Sequence, residues 1–486
     1  MKILLINPAC EKSWFEFHPK KKSYSFHTTG SSPPLGLLYI ATNLKDQEYN
    51  VDLIDNDAER LSEREILEYI EKNKPKIVGF SALVGTSENA HSLAKKIKEK
   101  YPKILILYGG PLATNFPKKL MKKYEFIDYI LKGEAEETII TFLERLENKE
   151  SVNNVNGIVY REKGEIIADE EVPIVKDLNT LVTPKRSLLK KEYDLSFPLG
   201  NSEVRLSVDK YTPILTSRGC PNNCNFCLSE KNSWRPRSPE DVVNEIEKLH
   251  KKGYGHFFFI DNNFGADKER AKKICDLIIE KDLDIYWCAQ LSANTGNYEL
   301  FAKMKKAGCE GLLLGIESVN RDILDYYDKP LKPDLAKKMV DLARKSGINV
   351  IIGTFMIGAP DETKKEAKKT LEFAKELDID GLVISKLTLK PHTTLWNEMK
   401  EKGYLTEDLI DDRVEETIKQ HEVKSRLSKE QLDSLIDSTY SEFIKRPSFI
   451  IKTIKRMITS EFRRKWVYIN SSGILLYLKE KLKDMF

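Results

Sequence analysis

Three of the chain's seven cysteines fall within one short run, Ser217-Arg218-Gly219-Cys220-Pro221-Asn222-Asn223-Cys224-Asn225-Phe226-Cys227. The spacing is C-x3-C-x2-C. Thiolates are the soft ligands that iron–sulfur clusters require. Three of them on a four-iron cubane leave one iron without a protein ligand, and an open coordination position is where a catalytic metal site takes its substrate. Gly219, Pro221, Asn222 and Asn223 are turn formers that let a short loop wrap round a cubane. The competing readings are a zinc site and three structural thiols. Structural zinc wants four ligands, usually in two paired clusters. His256 and Cys288 are candidates for a fourth ligand, but neither sits in a second knuckle. The remaining cysteines, Cys10, Cys275, Cys288 and Cys309, are scattered. They read as ordinary buried thiols rather than a disulfide framework.

A loop of this kind must hang from something rigid. From Tyr211 onward, short apolar strands alternate with amphipathic helices. Strands are expected at Ile214 to Thr216, Phe257 to Ile260, Ile285 to Cys288, Leu312 to Ile316, Val350 to Phe355 and Leu382 to Lys386. Helices intervene near 267–280, 297–307, 333–346 and 362–377, and one opens at Ser238-Pro239-Glu240-Asp241 with a cap, a first-turn proline and acids. Six such units predict a (βα)6 partial TIM barrel whose site lies at the carboxyl ends of the strands. The cysteine loop follows the first strand. Phe259-Ile260-Asp261-Asn262-Asn263-Phe264, Gly315-Ile316-Glu317-Ser318 and Phe355-Met356-Ile357-Gly358-Ala359-Pro360 stand at three later strand ends.

Residues 1–150 carry a second alternating series. Strands at Lys2 to Ile6, Val51 to Ile54, Ile77 to Ser81, Ile104 to Tyr108 and Tyr129 to Leu131 alternate with helices, which implies a Rossmann-like parallel sheet covered on both faces. Ligands of such sheets lie beyond the carboxyl ends of the strands. Ser81-Ala82-Leu83, Gly109-Gly110-Pro111 and Gly133-Glu134 follow three adjacent strands and clear space for a large flat ligand. Ser81 adds a hydroxyl, and the glycines expose backbone NH groups. The bland alternative is ordinary glycine turns. His91 reads as a helix-surface residue rather than a ligand. His18 and His27 lie in a polar loop from Cys10 to Ser32.

Residues 151–205 read as short strands and turns connecting the two series. Residues 396–486 read as helical, with Ser428 and Gln431 forming a capping box. The whole is an α/β chain of four parts: 1–150, 151–205, 206–395 and 396–486.

Charged residues make up 32% and hydrophobic ones 41%, a soluble globular composition that excludes fibrous and disordered classes. The longest apolar runs are far short of a membrane span. Lys2-Ile3-Leu4-Leu5-Ile6 is too short for an export signal and stops before Pro8, so the cytoplasm is the expected location. Net charge is +4, yet Lys452 to Phe486 alone carries nine Lys and Arg against three Asp and Glu. The remainder is therefore slightly acidic, and no nucleic-acid partner is expected. The basic-apolar segments Phe449 to Ile458 and Ile474 to Lys479 are expected to pack on the barrel with snorkelling Lys and Arg. The alternative is a membrane-surface patch that feeds a lipid substrate.

The cysteine loop resembles the signature of radical S-adenosylmethionine enzymes, and the resemblance extends over most of residues 206–395. It implies that Cys220, Cys224 and Cys227 hold a 4Fe-4S cluster. The methionyl amine and carboxylate then chelate the fourth iron, and an electron from the cluster cleaves the sulfonium to a 5′-deoxyadenosyl radical. The resemblance places Phe226 near the adenine, and Asp261, Gly315, Glu317, Ser318 and Gly358 around S-adenosylmethionine. There are departures. Lys390-Pro391-His392-Thr393-Thr394 replaces a P-G-T turn, and Gln290-Leu291-Ser292 lacks an Arg that many relatives place there. Substrate identity therefore does not carry over.

Residues 1–150 resemble cobalamin-binding domains through Ser81, Leu83, Gly109 and Gly110. Pro33-Pro34-Leu35-Gly36 and Lys132-Gly133-Glu134-Ala135-Glu136 are similar to the versions fused to radical enzymes. The D-x-H-x-x-G loop that supplies a lower cobalt ligand is missing, and Glu16-Phe17-His18-Pro19-Lys20-Lys21 does not match it. Cobalamin is expected without that histidine and with its own base displaced. Together the two resemblances imply a cobalamin-dependent radical enzyme that methylates an unactivated carbon of a small-molecule or lipid substrate. An electron donor such as ferredoxin or flavodoxin is implied as well. Ring formation, oxidation or rearrangement with the same cofactors is the second expectation, and a non-catalytic cobalamin or redox sensor the third.

Overall fold

The computed structural model describes residues 1–10, 32–191, 193, 210–228, 234–405, 425–460 and 464. They divide into two compact units, one made of the described residues up to Tyr193 together with Leu405, and one of the other described residues from Lys210 onward. The loop carrying His18 and His27 and the segment Ile474 to Lys479 lie outside the described residues.

The first unit is built on strands β1 (Lys2–Asn7), β2 (Asn50–Asp55), β3 (Ile77–Ser81), β4 (Leu105–Gly109) and β5 (Tyr129–Leu131). They are parallel and lie in the order β2-β1-β3-β4-β5. Apolar residues such as Ile3 to Ile6 and Val78 are buried on both sheet faces, as a sheet covered by helices requires. The strand order reverses between β1 and β3, and the crevice of such a fold opens there. The stretch expected to connect the two units instead extends this sheet. Strands β6 (Ile158–Glu162) and β7 (Glu165–Ala168) add antiparallel to β5. A hairpin needs no crossover helix, so its strands fell outside the strand–helix rhythm.

The second unit holds β8 (Lys210–Ile214), the two-residue strands β9 (Ser217–Arg218) and β10 (Arg235–Pro236), β11 (Tyr254–Phe259), β12 (Tyr286–Ser292), β13 (Cys309–Glu317), β14 (Val350–Ile357) and β15 (Gly381–Lys386). Six of these form an all-parallel sheet in the order β8-β11-β12-β13-β14-β15, curled but open. The expected first strand is displaced: β8 ends at Ile214, and Leu215 and Thr216 already belong to the approach to the cysteine loop. Helices cover the outer face, where Phe259 stacks on Trp287 at 4.5 Å. Cys288, Leu313, Val350 and Ile352 form a separate apolar cluster, with Phe258 and Val383 packed against it. That packing accounts for Cys288, whose thiol burial pushes far above its usual pKa. The helix Lys429–Lys445, capped by Ser428 and Gln431, follows the sheet and packs against β15. Among the described residues no helix is long and apolar enough to cross a membrane.

Candidate active site

The cysteine loop is anchored at its base by buried polar groups. The Asp261 carboxylate accepts hydrogen bonds from the Thr216 amide at 2.8 Å, the Thr216 hydroxyl, and Ser217 Oγ at 2.7 Å. Arg270 donates to the Thr216 carbonyl at 2.6 Å, and Arg237 to the Leu215 carbonyl at 2.8 Å. Arg237 is in turn paired with Glu245 at 2.6 Å. Asp261 was expected to face S-adenosylmethionine. It is almost fully buried, and its oxygens accept from residues 216 and 217, so it positions the loop.

Between the second and third cysteines the loop is pinned from two sides. The Asn225 amide donates to the Tyr327 carbonyl at 3.0 Å, its side chain donates to the Tyr326 carbonyl, and its own carbonyl accepts from the Leu395 amide at 3.0 Å. Phe226 meets the Tyr327 ring edge-on at 5.2 Å. The segment Lys390 to Thr394, which departs from the P-G-T pattern, therefore leads directly into a contact with the cysteine loop.

Cys220 is buried, Cys224 half-buried and Cys227 exposed. Burial pushes the Cys224 thiol up to about 11, and the nearby Lys329 ammonium pulls the other way. Burial also raises Cys220. The donor set is three thiols coupled through their charges. Among the described residues no three His, Cys, Asp or Glu side chains converge as one metal ion would need. Three thiols on one short loop suit a cubane, whose thiolates each bind a separate iron. His256 lies edge-on to Tyr286 on the early part of β11.

Glu317 ends β13 with φ at +64°, a left-handed conformation that costs a non-glycine residue about 1 kcal/mol or more. Its carboxylate is paired with Lys329 Nζ at 3.0 Å. A side chain on Gly315 would come within 3.0 Å of Glu317 Oε1 and 3.1 Å of Lys329 Nζ, so the glycine makes room for this pair. Ser318 is fully buried. Its hydroxyl is shared with Thr370 and accepts from the Asn320 amide at 3.1 Å, so it builds the turn. Gly358, at φ +96°, donates its amide to Glu362 and packs against Leu432. Lys329 and Tyr327 were not singled out from the sequence. Each follows a short helix in a stretch rich in lysine and tyrosine, and no local signal marks either.

Seven buried polar atoms around the carboxyl ends of β8 and β11 to β14 have no hydrogen-bond partner: Asn223 Oδ1, Asn225 Oδ1, Asn263 Nδ2, Ser292 Oγ, Asn294 Oδ1, Tyr327 OH and Glu362 Oε1. Buried polar groups are ordinarily satisfied. Orphans at these strand ends fit a polar ligand such as S-adenosylmethionine.

In the first unit Ser81, Gly109 and Gly110 come together at the ends of β3 and β4. The Ala82 amide donates to the Gly109 carbonyl at 2.9 Å, and a Cβ on Gly110 would meet Ser81 Oγ at 3.0 Å. Leu83 is exposed beside them. Gly133 and Glu134, expected to face the ligand, are half-buried beside the segment that follows β7. The Glu134 amide donates to the Pro173 carbonyl at 2.8 Å, and its carboxylate accepts from the Val175 amide at 2.7 Å. That segment exposes Val172 and Ile174. Exposed Leu83, Val172 and Ile174 near the ends of β3 and β5 suit a large ligand with apolar faces, so cobalamin fits. His91 is not on the helix surface. It is buried, stacked on Tyr124 at 4.1 Å and bonded to Tyr108 OH at 3.1 Å.

A curled parallel half-barrel with a three-thiol loop, carried with a flavodoxin-like unit, defines a class of radical enzyme. Residues 214–374 match the Radical SAM superfamily and residues 24–143 the B12 binding domain. An uncharacterized methyltransferase of Pyrococcus horikoshii is 32% identical over 93% of this chain and 95% of its own length. The anaerobic magnesium-protoporphyrin IX monomethyl ester cyclase of Rubrivivax gelatinosus is 28% identical over 79% of this chain and 69% of its own. The radical S-adenosylmethionine methyltransferase TsrM from Kitasatospora setae, solved with cobalamin and a [4Fe-4S] cluster, shares the fold. Its TM-score is 0.67 at 18% identity, over 82% of this chain and 78% of that one. The chain belongs to the family of radical S-adenosylmethionine enzymes that carry a cobalamin-binding domain, and its cofactors are a 4Fe-4S cluster, S-adenosylmethionine and cobalamin.

Proposed function

We propose that this enzyme transfers a methyl group to an unactivated carbon of a small-molecule or lipid substrate. When bound, the cluster supplies the electron that cleaves S-adenosylmethionine, and cobalamin supplies the methyl group. Cys220, Cys224 and Cys227 hold the cluster, and they must shed their protons to do so, which burial of Cys220 and Cys224 opposes. The Lys329 charge beside them offsets that cost. Glu317 is the acceptor for ribose or methionyl groups, held in place by Lys329, and Phe226 lies against the adenine. The orphaned atoms of Asn263, Ser292 and Asn294 receive the polar end of the ligand. Ser81, Leu83, Gly109 and Gly110 hold cobalamin. A ferredoxin or flavodoxin is the electron donor.

The observation that carries this reading is the three-cysteine loop beyond the carboxyl end of β8, with seven buried polar atoms at that and the following strand ends left without a hydrogen-bond partner. Likeness to a cyclase supports ring closure with the same cofactors as a second reading. Anaerobic incubation of the reduced enzyme with methyl-deuterated S-adenosylmethionine and fractionated cell extract separates the two. Methyl transfer gives a product carrying the intact deuterated methyl group, absent with Cys224→Ala. A product that has lost hydrogen and gained no label supports ring closure and overturns methyl transfer.

A further inference from the structure

The helix Pro447–Thr459 faces the opposite way from a helix that packs its apolar side on the barrel. Arg456 points inward, and Lys452, itself half-exposed, reaches one of the same acids. Arg456 donates to Asp380 at 2.8 Å and to Asp378 at 2.7 and 2.8 Å, and Lys452 donates to Asp378 at 3.1 Å. Its isoleucines point outward: Ile450 is 47% exposed, Ile451 65%, Ile454 55% and Ile458 75%. Spacings of three and four residues put these side chains on one stripe. Single exposed apolar residues are normal on a protein surface, but a contiguous stripe marks an interaction surface. Ion pairs on the inner face hold this one in place.

We infer that the isoleucine face is a docking surface for an anionic membrane. Lys455 is exposed beside the stripe. Arg464 donates to the carbonyls of Met457 and Ile458 at 3.0 and 3.3 Å, which sets a guanidinium at the end of the stripe. An apolar stripe flanked by Lys and Arg is the composition of a helix that lies in the headgroup layer. The same charges oppose docking of a second copy, because two like faces would bring their cations together. Asp378 and Asp380 precede β15, so the helix is fixed at the amino-terminal rim of the barrel sheet. The cysteine loop lies beyond the carboxyl end of β8. Docking therefore tethers the barrel by the rim away from the cysteines, and this helix does not deliver a lipid into the site. The surface is independent of the methyl-transfer reading.

Flotation of the purified full-length enzyme with vesicles tests it. The enzyme floats with phosphatidylcholine vesicles that contain phosphatidylglycerol, not with phosphatidylcholine alone, and added salt weakens the binding. Ile451→Glu with Ile454→Glu lowers binding at least about tenfold, with circular dichroism and 5′-deoxyadenosine formation unchanged. No flotation with the anionic vesicles overturns the inference, as does flotation that the double variant leaves intact. A wild-type dimer by light scattering, monomeric in the double variant and indifferent to vesicles, also overturns it and assigns the face to a second copy.

Discussion

Lys329 Nζ lies 3.0 Å from Glu317 Oε1, in the space that a side chain on Gly315 would need. The ammonium is deeply buried. Burial works against its charge, yet Glu317 and the thiols of Cys224 and Cys220 more than compensate and raise its pKa. One lysine thus links the residue that ends β13 to two of the three cysteines. A positive charge beside an anionic cluster favours the reduced form.

Lys329→Met should therefore lower the cluster's reduction potential by about 60 mV, a tenfold change in a one-electron equilibrium. Potentiometric titration followed by electron paramagnetic resonance, without S-adenosylmethionine, reads this directly. Lys329→Arg should restore most of the shift. An unchanged potential in the Met variant would mean that the ammonium acts on Glu317 alone.

Asp261→Ala leaves the Thr216 and Ser217 hydroxyls and the Thr216 amide buried without their acceptor. Each such loss costs on the order of 1–3 kcal/mol. The expected outcome is a protein that folds less stably and reconstitutes with less iron, because the approach to the cysteine loop is no longer held. Affinity for S-adenosylmethionine per intact cluster should be unchanged. A selective loss of that affinity at full iron content would return Asp261 to the ligand.

These two residues show what the sequence made legible. The cysteine spacing and the order of the strand ends located the site, since both are local patterns on regular elements. The role of each strand-end residue was not legible. Asp261 and Ser318 stand where ligand contacts were expected, yet their oxygens are spent on Thr216, Ser217, Thr370 and Asn320. Gly133 and Glu134 are spent on the segment that follows β7. A motif shows which residues are near, not which atoms the fold has already used. The mixed basic-apolar composition of Phe449 to Ile458 likewise did not show which side faces the barrel, because Asp378 and Asp380 anchor the helix from far earlier in the chain.

Glu362 accepts from the Gly358 and Ala359 amides through one oxygen, and its other oxygen has no partner. Burial raises its pKa from the ordinary 4.5 to about 7. Folding thus takes up a proton at this group. The resulting stability is complete below about pH 4.5 and is lost as the pH rises through about 7. Urea unfolding of the apoprotein should show a loss on the order of 2–3 kcal/mol between pH 5 and 8. In Glu362→Gln this component should vanish. Parallel pH dependence in both proteins would show that Glu362 does not titrate in that range.

Leu83→Asp should weaken cobalamin binding about tenfold, the worth of roughly 1.4 kcal/mol of apolar contact, with little change in melting temperature. Gly110→Val should destabilise the fold itself, since φ is +87° and the added Cβ would press on Ser81 and Ala82. Absorbance of bound cobalamin with differential scanning calorimetry separates the two effects. Full cobalamin uptake by Leu83→Asp would place the ligand elsewhere.

The most direct test of the central claim is the ratio of two products. The reduced holoenzyme, given S-adenosylmethionine and the extract fraction that stimulates turnover, should release 5′-deoxyadenosine and S-adenosylhomocysteine in about equal amounts. One S-adenosylmethionine is cleaved to generate the radical, and another supplies the methyl group. Deoxyadenosine that accumulates with that fraction while no S-adenosylhomocysteine appears would contradict methyl transfer.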